Sequence, residues 1–183
     1  MANRLTKIYT RTGDDGSTGM ADGRRIAKDD LLVHVIGEVD ELNSQLAVVA
    51  CHSPPGFSAA IRAIQDELFN VGAELTTGKT VIRQKNVDWL EQSLDQLNLS
   101  LMPLQEFILP GGGLAASHCH VARSVCRRAE RTLVSLHKEK ALNGCLMAYV
   151  NRLSDYLFVL ARAISKQQGI DEVYWQSERL KDC

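Results

Sequence analysis

The sequence contains no uninterrupted apolar run approaching the ~18 residues that a membrane-spanning helix needs. Charged Arg4, Lys7 and Arg11 arrive at once, with no apolar stretch or small-residue cleavage site behind them, so no secretory signal is expected. A net charge of −1 over 183 residues supplies no general field for nucleic acid or an acidic membrane surface. Any anion site must therefore be built locally. The cysteines, Cys51, Cys119, Cys126, Cys145 and Cys183, are odd in number and form no Cys-x-x-Cys pair. Reduced thiols in a cytoplasmic protein are expected, not a disulfide framework. Strand signals are weak and confined to 7–10 and 80–82, and neither internal repeats nor low-complexity linkers occur. With 45% hydrophobic residues, the chain is long enough to bury one sizeable core.

Helical patterning is plentiful. From 29 to 52, Leu32, Val35, Ile36, Val39, Leu42, Leu46 and Val49 recur at helical spacing, with Asp29 and Asp30 at the start and Pro54-Pro55-Gly56 beyond the end. Ser58 opens a second helix striped by Ile61, Ile64, Leu68, Val71 and Leu75. A shorter one is expected over 86–101, capped by Asn86 and closed before Pro103. After a loop at 105–113, long helices are expected over 115–138 and 145–168, with Gly169 as a C-cap. The last is apolar on nearly every side, which marks a helix buried centrally or between subunits. The fold class is all-α: a single-domain, five-helix-type bundle at 29–168, preceded by an irregular Gly/Thr-rich arm at 1–28 and followed by a tail at 169–183.

The arm contains Tyr9-Thr10-Arg11-Thr12-Gly13-Asp14-Asp15-Gly16-Ser17-Thr18-Gly19, with three glycines at three-residue intervals among hydroxyl side chains and near Lys28. Glycine lets backbone N–H groups turn toward a ligand and hydroxyls add donors, so the segment suits phosphate oxygens; it equally suits plain turns. The stretch Gly72-Ala-Glu-Leu-Thr-Thr-Gly78-Lys79-Thr80 imitates a P-loop, but five residues part its glycines where the motif has four. It reads as a helix end running into a loop. Arg123, Arg127, Glu130 and Arg131 fall on one helical face, while Ala122, Cys126, Ala129 and Leu133 form an apolar stripe beside it. Three arginines with one acid form either a solvated face or a ridge for bidentate phosphate contacts. Spacing turns Arg128 elsewhere. Asn151, Arg152 and Asp155 interrupt the most apolar helix and need partners, as does Asp40 in the first. His118-Cys119-His120 cannot converge on one ion from adjacent helical positions, and no protein-held metal centre is expected.

Five motifs in order resemble the ATP:cob(I)alamin (corrinoid) adenosyltransferases of the propanediol-utilisation type. They are Ile8-Tyr-Thr-Arg-Thr-Gly-Asp-Asp-Gly-Ser-Thr-Gly19; Lys28-Asp-Asp with Val39-Asp-Glu-Leu-Asn43; Phe107-Ile-Leu-Pro-Gly-Gly112; Arg123-x-x-Cys-Arg-Arg-Ala-Glu-Arg131; and Tyr149-x-Asn-Arg-Leu-Ser-Asp-Tyr-Leu-Phe158. The resemblance runs essentially end to end. It implies transfer of the 5′-deoxyadenosyl group of ATP to the cobalt of cob(I)alamin or a related corrinoid, with Mg²⁺ assisting and triphosphate leaving. It implies a homotrimer with sites at subunit interfaces, and, as further partners, a corrinoid reductant and an adenosylcobalamin-dependent enzyme. Thr10, Arg11, Thr12, Gly13, Asp14, Asp15, Gly16, Ser17, Thr18 and Lys28 are similar to the ATP phosphate loop and its lysine. Arg127, Arg128, Glu130, Arg131 and Asn151 resemble nucleotide contacts from the helices. Asp40 and Arg123 resemble an interfacial salt bridge, and Phe107, with Phe158, resembles the wall of the corrinoid pocket that displaces the lower axial base. Departures are Met20, Gly37-Glu38 and the extra Gly113; Glu38 places a charge near Asp40. Read without the resemblance, the same residues fit an ATP-binding sensor or scaffold bundle, or a purely structural one.

Overall fold

The computed structural model describes residues 8–176. Within them lie five helices, α1 (Leu31–His52), α2 (Ser58–Thr77), α3 (Gln84–Asn98), α4 (Gly113–Glu139) and α5 (Gly144–Gln167), preceded by a small antiparallel ribbon, β1 (Ser17–Gly19) and β2 (Arg25–Ala27). The all-α reading holds, and every expected helix is present with its ends shifted by a few residues. None is long and apolar enough to cross a membrane.

The strands lie elsewhere than expected. Residues 80–82 form no strand among the described residues: the buried Glu74 carboxylate at the end of α2 accepts from the Val81 and Ile82 N–H groups, both at 2.7 Å. Residues 8–10 are irregular, and position 7 lies outside the described residues. The ribbon forms instead where Gly23 adopts a left-handed φ of 86° and Asp22 accepts from Arg24 N–H at 3.0 Å, turning the chain so that Thr18 faces Ile26.

Helix ends follow local chemistry. Asp30 caps α1 by accepting from Leu32 N–H. Asn86, expected as a cap, is the third residue of α3 and reaches back to the Arg83 N–H at 2.9 Å. Gly78 ends α2 in the left-handed conformation, so the P-loop look-alike is a helix terminus. After α5, Gly169 (φ 68°) lets its own N–H reach Lys166 O and the Ile170 N–H reach Ser165 O, a double closure of the last turn.

The closest helix pairs are α4–α5, α1–α4, α3–α5 and α1–α2, giving a packing order α2–α1–α4–α5–α3. Close approach of α4 to α5 follows from a seam of small side chains, Ala115, Cys119, Ala122, Cys126 and Ala129, all buried. The Cys119 and Cys126 thiols donate to Leu157 O and Val150 O at 3.2 and 3.3 Å, and burial pushes both thiols far above their ordinary pKa. They are structural, not reactive. The α5 helix is buried on nearly all sides, as its composition required, and presents Asn151, Arg152 and Asp155 at one outer edge.

Candidate functional site

The arm is organised by one tight turn. Asp15 Oδ1 accepts from both the Ser17 N–H (2.9 Å) and the Ser17 hydroxyl (2.7 Å), contacts that hold its carboxyl below the ordinary carboxylate range, the hydroxyl contributing most. Gly16 turns at φ 84°, and its carbonyl receives the Lys28 N–H at 2.8 Å, folding the end of β2 back onto the turn. At Gly13 a side chain would stand 3.2 Å from the Lys28 ammonium and 3.0 Å from Ser17 O, so the bare backbone makes room for that cation. Arg25 donates to Thr12 O and Ser17 Oγ and lies 3.6 Å from Asp15. Thr10 and Thr12 share a hydroxyl–hydroxyl bond of 2.8 Å, and Arg11, in a left-handed φ of 60°, lays its guanidinium over Tyr9. Two exposed cations and several hydroxyls thus crowd one turn. Arg25 was not singled out in the sequence, because only the ribbon pairing brings it opposite Ser17. Met20 is the arm's one buried side chain among the described residues.

The arginines of α4 divide between two sides of the bundle. Arg123 and Arg127 line a cavity of about 520 Å³ with Asp95 of α3 and Arg152, Asp155 and Phe158 of α5. Asn151 donates to Glu130 Oε1 at 2.7 Å, and Arg131 donates to Arg127 O at 2.9 Å. Arg152 is held between Glu91 and Asp155, each at 2.9 Å. Arg128 faces α1, where it pairs with Glu41 and lies 3.5 Å from Glu38. Within the chain it is an inter-helix tie.

Asp40 and Arg123 are not joined: among the described residues no ion pair links them. Asp40 is exposed on α1, beside an apolar groove shared with Gly37 and with Phe69 of α2. Arg123 is half-buried, and its Nε has no acceptor among the described residues. A buried donor left so costs about 1–3 kcal/mol, and a water or a group from another molecule would relieve it.

Phe107 is 74% exposed on the loop before α4. Gly112, the α4 N-cap at φ 91°, closes that loop against α5: a side chain there would come within 1.9 Å of Ser165 Oγ. Gly113, the departure noted above, is likewise left-handed and faces Ile170. Phe158 is half-buried on α5 and meets the His120 ring edge-on at 6.1 Å; it does not touch Phe107. His120 is buried, and burial first, Arg123 second, drives its pKa below the ordinary histidine value. It also lines a cavity of about 230 Å³ beneath the Phe107 loop, alongside Arg162 and Glu172. Arg162 is a further group the sequence reading passed over, although a buried arginine in so apolar a helix carries the same signal as Asn151. Among the described residues no cluster of His, Cys, Asp and Glu converges as a metal cage.

A family model described as cobalamin adenosyltransferase matches residues 8–164. The chain is similar to a cobalamin adenosyltransferase of Cupriavidus metallidurans, 47% identical over 98% of this chain and 99% of that one. It is also similar to a corrinoid adenosyltransferase of Bacillus subtilis, 41% identical over 93% of this chain and 92% of that one. Among solved structures it resembles a phenylalanine-to-alanine variant of a PduO-type ATP:corrinoid adenosyltransferase from Lactobacillus reuteri, complexed with cobalamin and ATP. That match has a TM-score of 0.87 at 35% identity, covering 93% of this chain and 99% of that one. An arginine-to-lysine variant of the same enzyme, complexed with ATP, gives a TM-score of 0.86 at 35% identity, covering 92% of this chain and 100% of that one.

Proposed function

The chain belongs to the cobalamin adenosyltransferase family, and from that premise we propose that it moves the 5′-deoxyadenosyl group of ATP onto the cobalt of cob(I)alamin or a related corrinoid, releasing triphosphate. The observation that carries the reading is the cavity where Arg123 and Arg127 stand with Phe158; Glu91 and Asp155 there are already paired to Arg152, so that Arg127 can take an anion beside an aromatic wall.

The work divides among the residues as follows. The turn of Thr10, Arg11, Thr12, Gly13, Asp14, Asp15, Gly16, Ser17 and Thr18, with Lys28, holds the triphosphate. Arg127, Arg131, Glu130 and Asn151 contact the nucleotide, and Arg128 steadies α4 against α1 behind them. Asp40 of one copy meets Arg123 of the next, so that the arm of one protomer closes over the ridge of its neighbour in a homotrimer. Among the described residues the arm packs little on its own bundle, which supports that arrangement. Mg²⁺ would ride on the phosphate oxygens with at most one or two carboxylates, such as those of Asp14 and Asp15, adding positive charge where the leaving group gains negative charge. Free thiols at Cys51, Cys119, Cys126 and Cys145 support a cytoplasmic setting.

Cobalt in its Co(I) state is a strong nucleophile toward the ribose 5′ carbon, so the protein needs no general base. Its task is to align ATP and corrinoid and to stabilise the departing triphosphate. Phe107, apolar and projecting, suits displacement of the lower axial base; a four-coordinate cobalt is easier to reduce, and an apolar lower face keeps water from replacing the lost ligand.

The test is an anaerobic assay with MgATP and chemically reduced corrinoid, scored by the adenosylated product's absorbance and by triphosphate. ATP binding with no triphosphate release would overturn the reading. Phe107→Ala should keep ATP binding while losing the four-coordinate Co(II) signal in electron paramagnetic resonance; an unchanged spectrum would remove Phe107 from the mechanism.

A further inference from the structure

The Phe107 loop has few anchors of its own. Phe107 is followed by Ile108, Leu109 and the Pro110-Gly111-Gly112 turn, and its ring projects outward. What holds it is the segment after α5. The Leu109 N–H donates to Val173 O at 2.8 Å and the Trp175 N–H donates to Phe107 O at 2.7 Å, forming an antiparallel bridge centred on Ile108 and Tyr174. The Trp175 ring lies 6.4 Å from the Phe107 ring, centre to centre. The 173–175 segment is thus a strap across the loop.

The strap is fastened from below. Arg162, 5% exposed in the last turns of α5, donates through Nε to Glu172 Oε1 at 2.5 Å and through Nη2 to Glu172 Oε2 at 3.1 Å. The same Nη2 reaches Met102 O at 2.7 Å on the approach to the loop. One guanidinium therefore grips the segment immediately before the strap and the chain leading into Phe107. A two-point arginine–carboxylate contact fixes direction as well as distance, which a lysine in the same place would not do. The pair lines the cavity under the loop, not the one between Arg127 and Phe158.

We propose that the Arg162–Glu172 pair is a positioning device for Phe107, setting the height and tilt of that ring through the 173–175 strap. The inference rests on Phe107 meeting the corrinoid. An aromatic ring on a loop with so few anchors could hold off a lower ligand only if the loop resists being pushed back, and the buried ion pair supplies that resistance. Arg162 and Glu172 touch neither substrate; they act through the strap.

The test uses the full chain carrying Glu172→Gln, which keeps the size but removes the charge and replaces one of the two oxygens that accept from Arg162 with an NH2 donor. Two strap variants accompany it: Trp175→Ala keeps the N–H donor to Phe107, and Trp175→Pro removes it. Hydrogen exchange at the Leu109 and Trp175 amides should quicken in Glu172→Gln without any corrinoid present. Turnover should fall by about 10–100-fold at an unchanged KM for ATP, since a misplacement of about 1 Å can cost ~10²-fold. The four-coordinate Co(II) signal should shrink in step, and further in Trp175→Pro than in Trp175→Ala. Phe107→Ala is run beside them. If it alone leaves the cobalt signal intact, the role given to Phe107 fails and the positioning role fails with it. If Phe107→Ala abolishes the signal while Glu172→Gln preserves amide protection, signal and kcat, the positioning role is wrong and that of Phe107 stands. A fall in kcat matched by a rise in the KM for ATP would mark general damage and also overturn it.

Discussion

Replacing Gly112 by alanine tests the geometry that sets Phe107 on the bundle. Two separate costs follow from the structure. At φ 91° and ψ 32° the residue sits in the left-handed region, where an L side chain is disfavoured by roughly 1–2 kcal/mol. The new Cβ would also stand 1.9 Å from Ser165 Oγ and 2.9 Å from Ser165 Cβ, where ordinary contact begins at 3.4 Å. Rotating the hydroxyl relieves the first contact, but it gives up the 3.0 Å bond to Ala161 O and leaves the second. Overpacking of that kind costs typically ~1–3 kcal/mol. The expected total is about 2–5 kcal/mol, read from urea unfolding at fixed protomer concentration with an unchanged slope. Ser165→Ala in the same chain should return only part of it, because the backbone conformation and the Cβ–Cβ approach remain. A Gly112→Ala protein within ~1 kcal/mol of the parent would refute the close approach of the loop to α5. Where it does fold, Phe107 should be displaced, and turnover should fall more than ATP affinity.

Arg127→Ala should lose most turnover, by 10²-fold or so if the guanidinium stabilises the leaving triphosphate, with the circular dichroism spectrum unchanged; near-normal kinetics would count against the nucleotide assignment. His120 gives a pH prediction. Its pKa is lowered by burial, so the folded chain holds it neutral while the unfolded chain takes a proton below about pH 6.5. Stability from this group is therefore full above that pH and is lost as the pH falls toward the depressed value. His120→Gln should flatten the melting temperature between about pH 6.5 and 5 relative to the parent, and parallel curves would show that the ring is not buried neutral.

How much of this was readable before the fold was known depends on whether the signal was periodic or paired. The α1 and α5 helices announce themselves through apolar residues that repeat with the helical period, and α5 does so all round. The turn of Arg128 away from the ridge also follows from spacing alone, and its ties to Glu38 and Glu41 agree. The ribbon is different: nothing in Arg25–Ala27 says strand until Asp22 and Gly23 make the turn that gives it a partner. Asn86 has a capping side chain, but only the geometry shows that it caps from inside the helix, reaching back to Arg83. The strap was illegible for the same reason. Glu172 and Trp175 lie in a stretch with no pattern of its own, and their significance comes from Arg162 and Phe107, distant in sequence.

The same reasoning bears on assembly. Asp40 and Arg123 occupy different faces of one chain, the first beside the α1–α2 groove and the second facing α3 and α5. If they satisfy each other, they do so between copies, and two unlike surfaces that join head to tail generate a ring when the rotation closes. The Arg123 Nε, which has no acceptor among the described residues, would gain one from such a join. Removing one member of such a pair costs about 2–5 kcal/mol per interface, largely from the charge left behind. Asp40→Arg and Arg123→Asp should each shift the chain toward monomer in light scattering and lose turnover. Carrying both in one chain restores an opposite pair at every interface and should recover the assembly at least in part. Single variants that remain fully assembled, or a double variant no better than either single, would show that the ring is not closed through this pair.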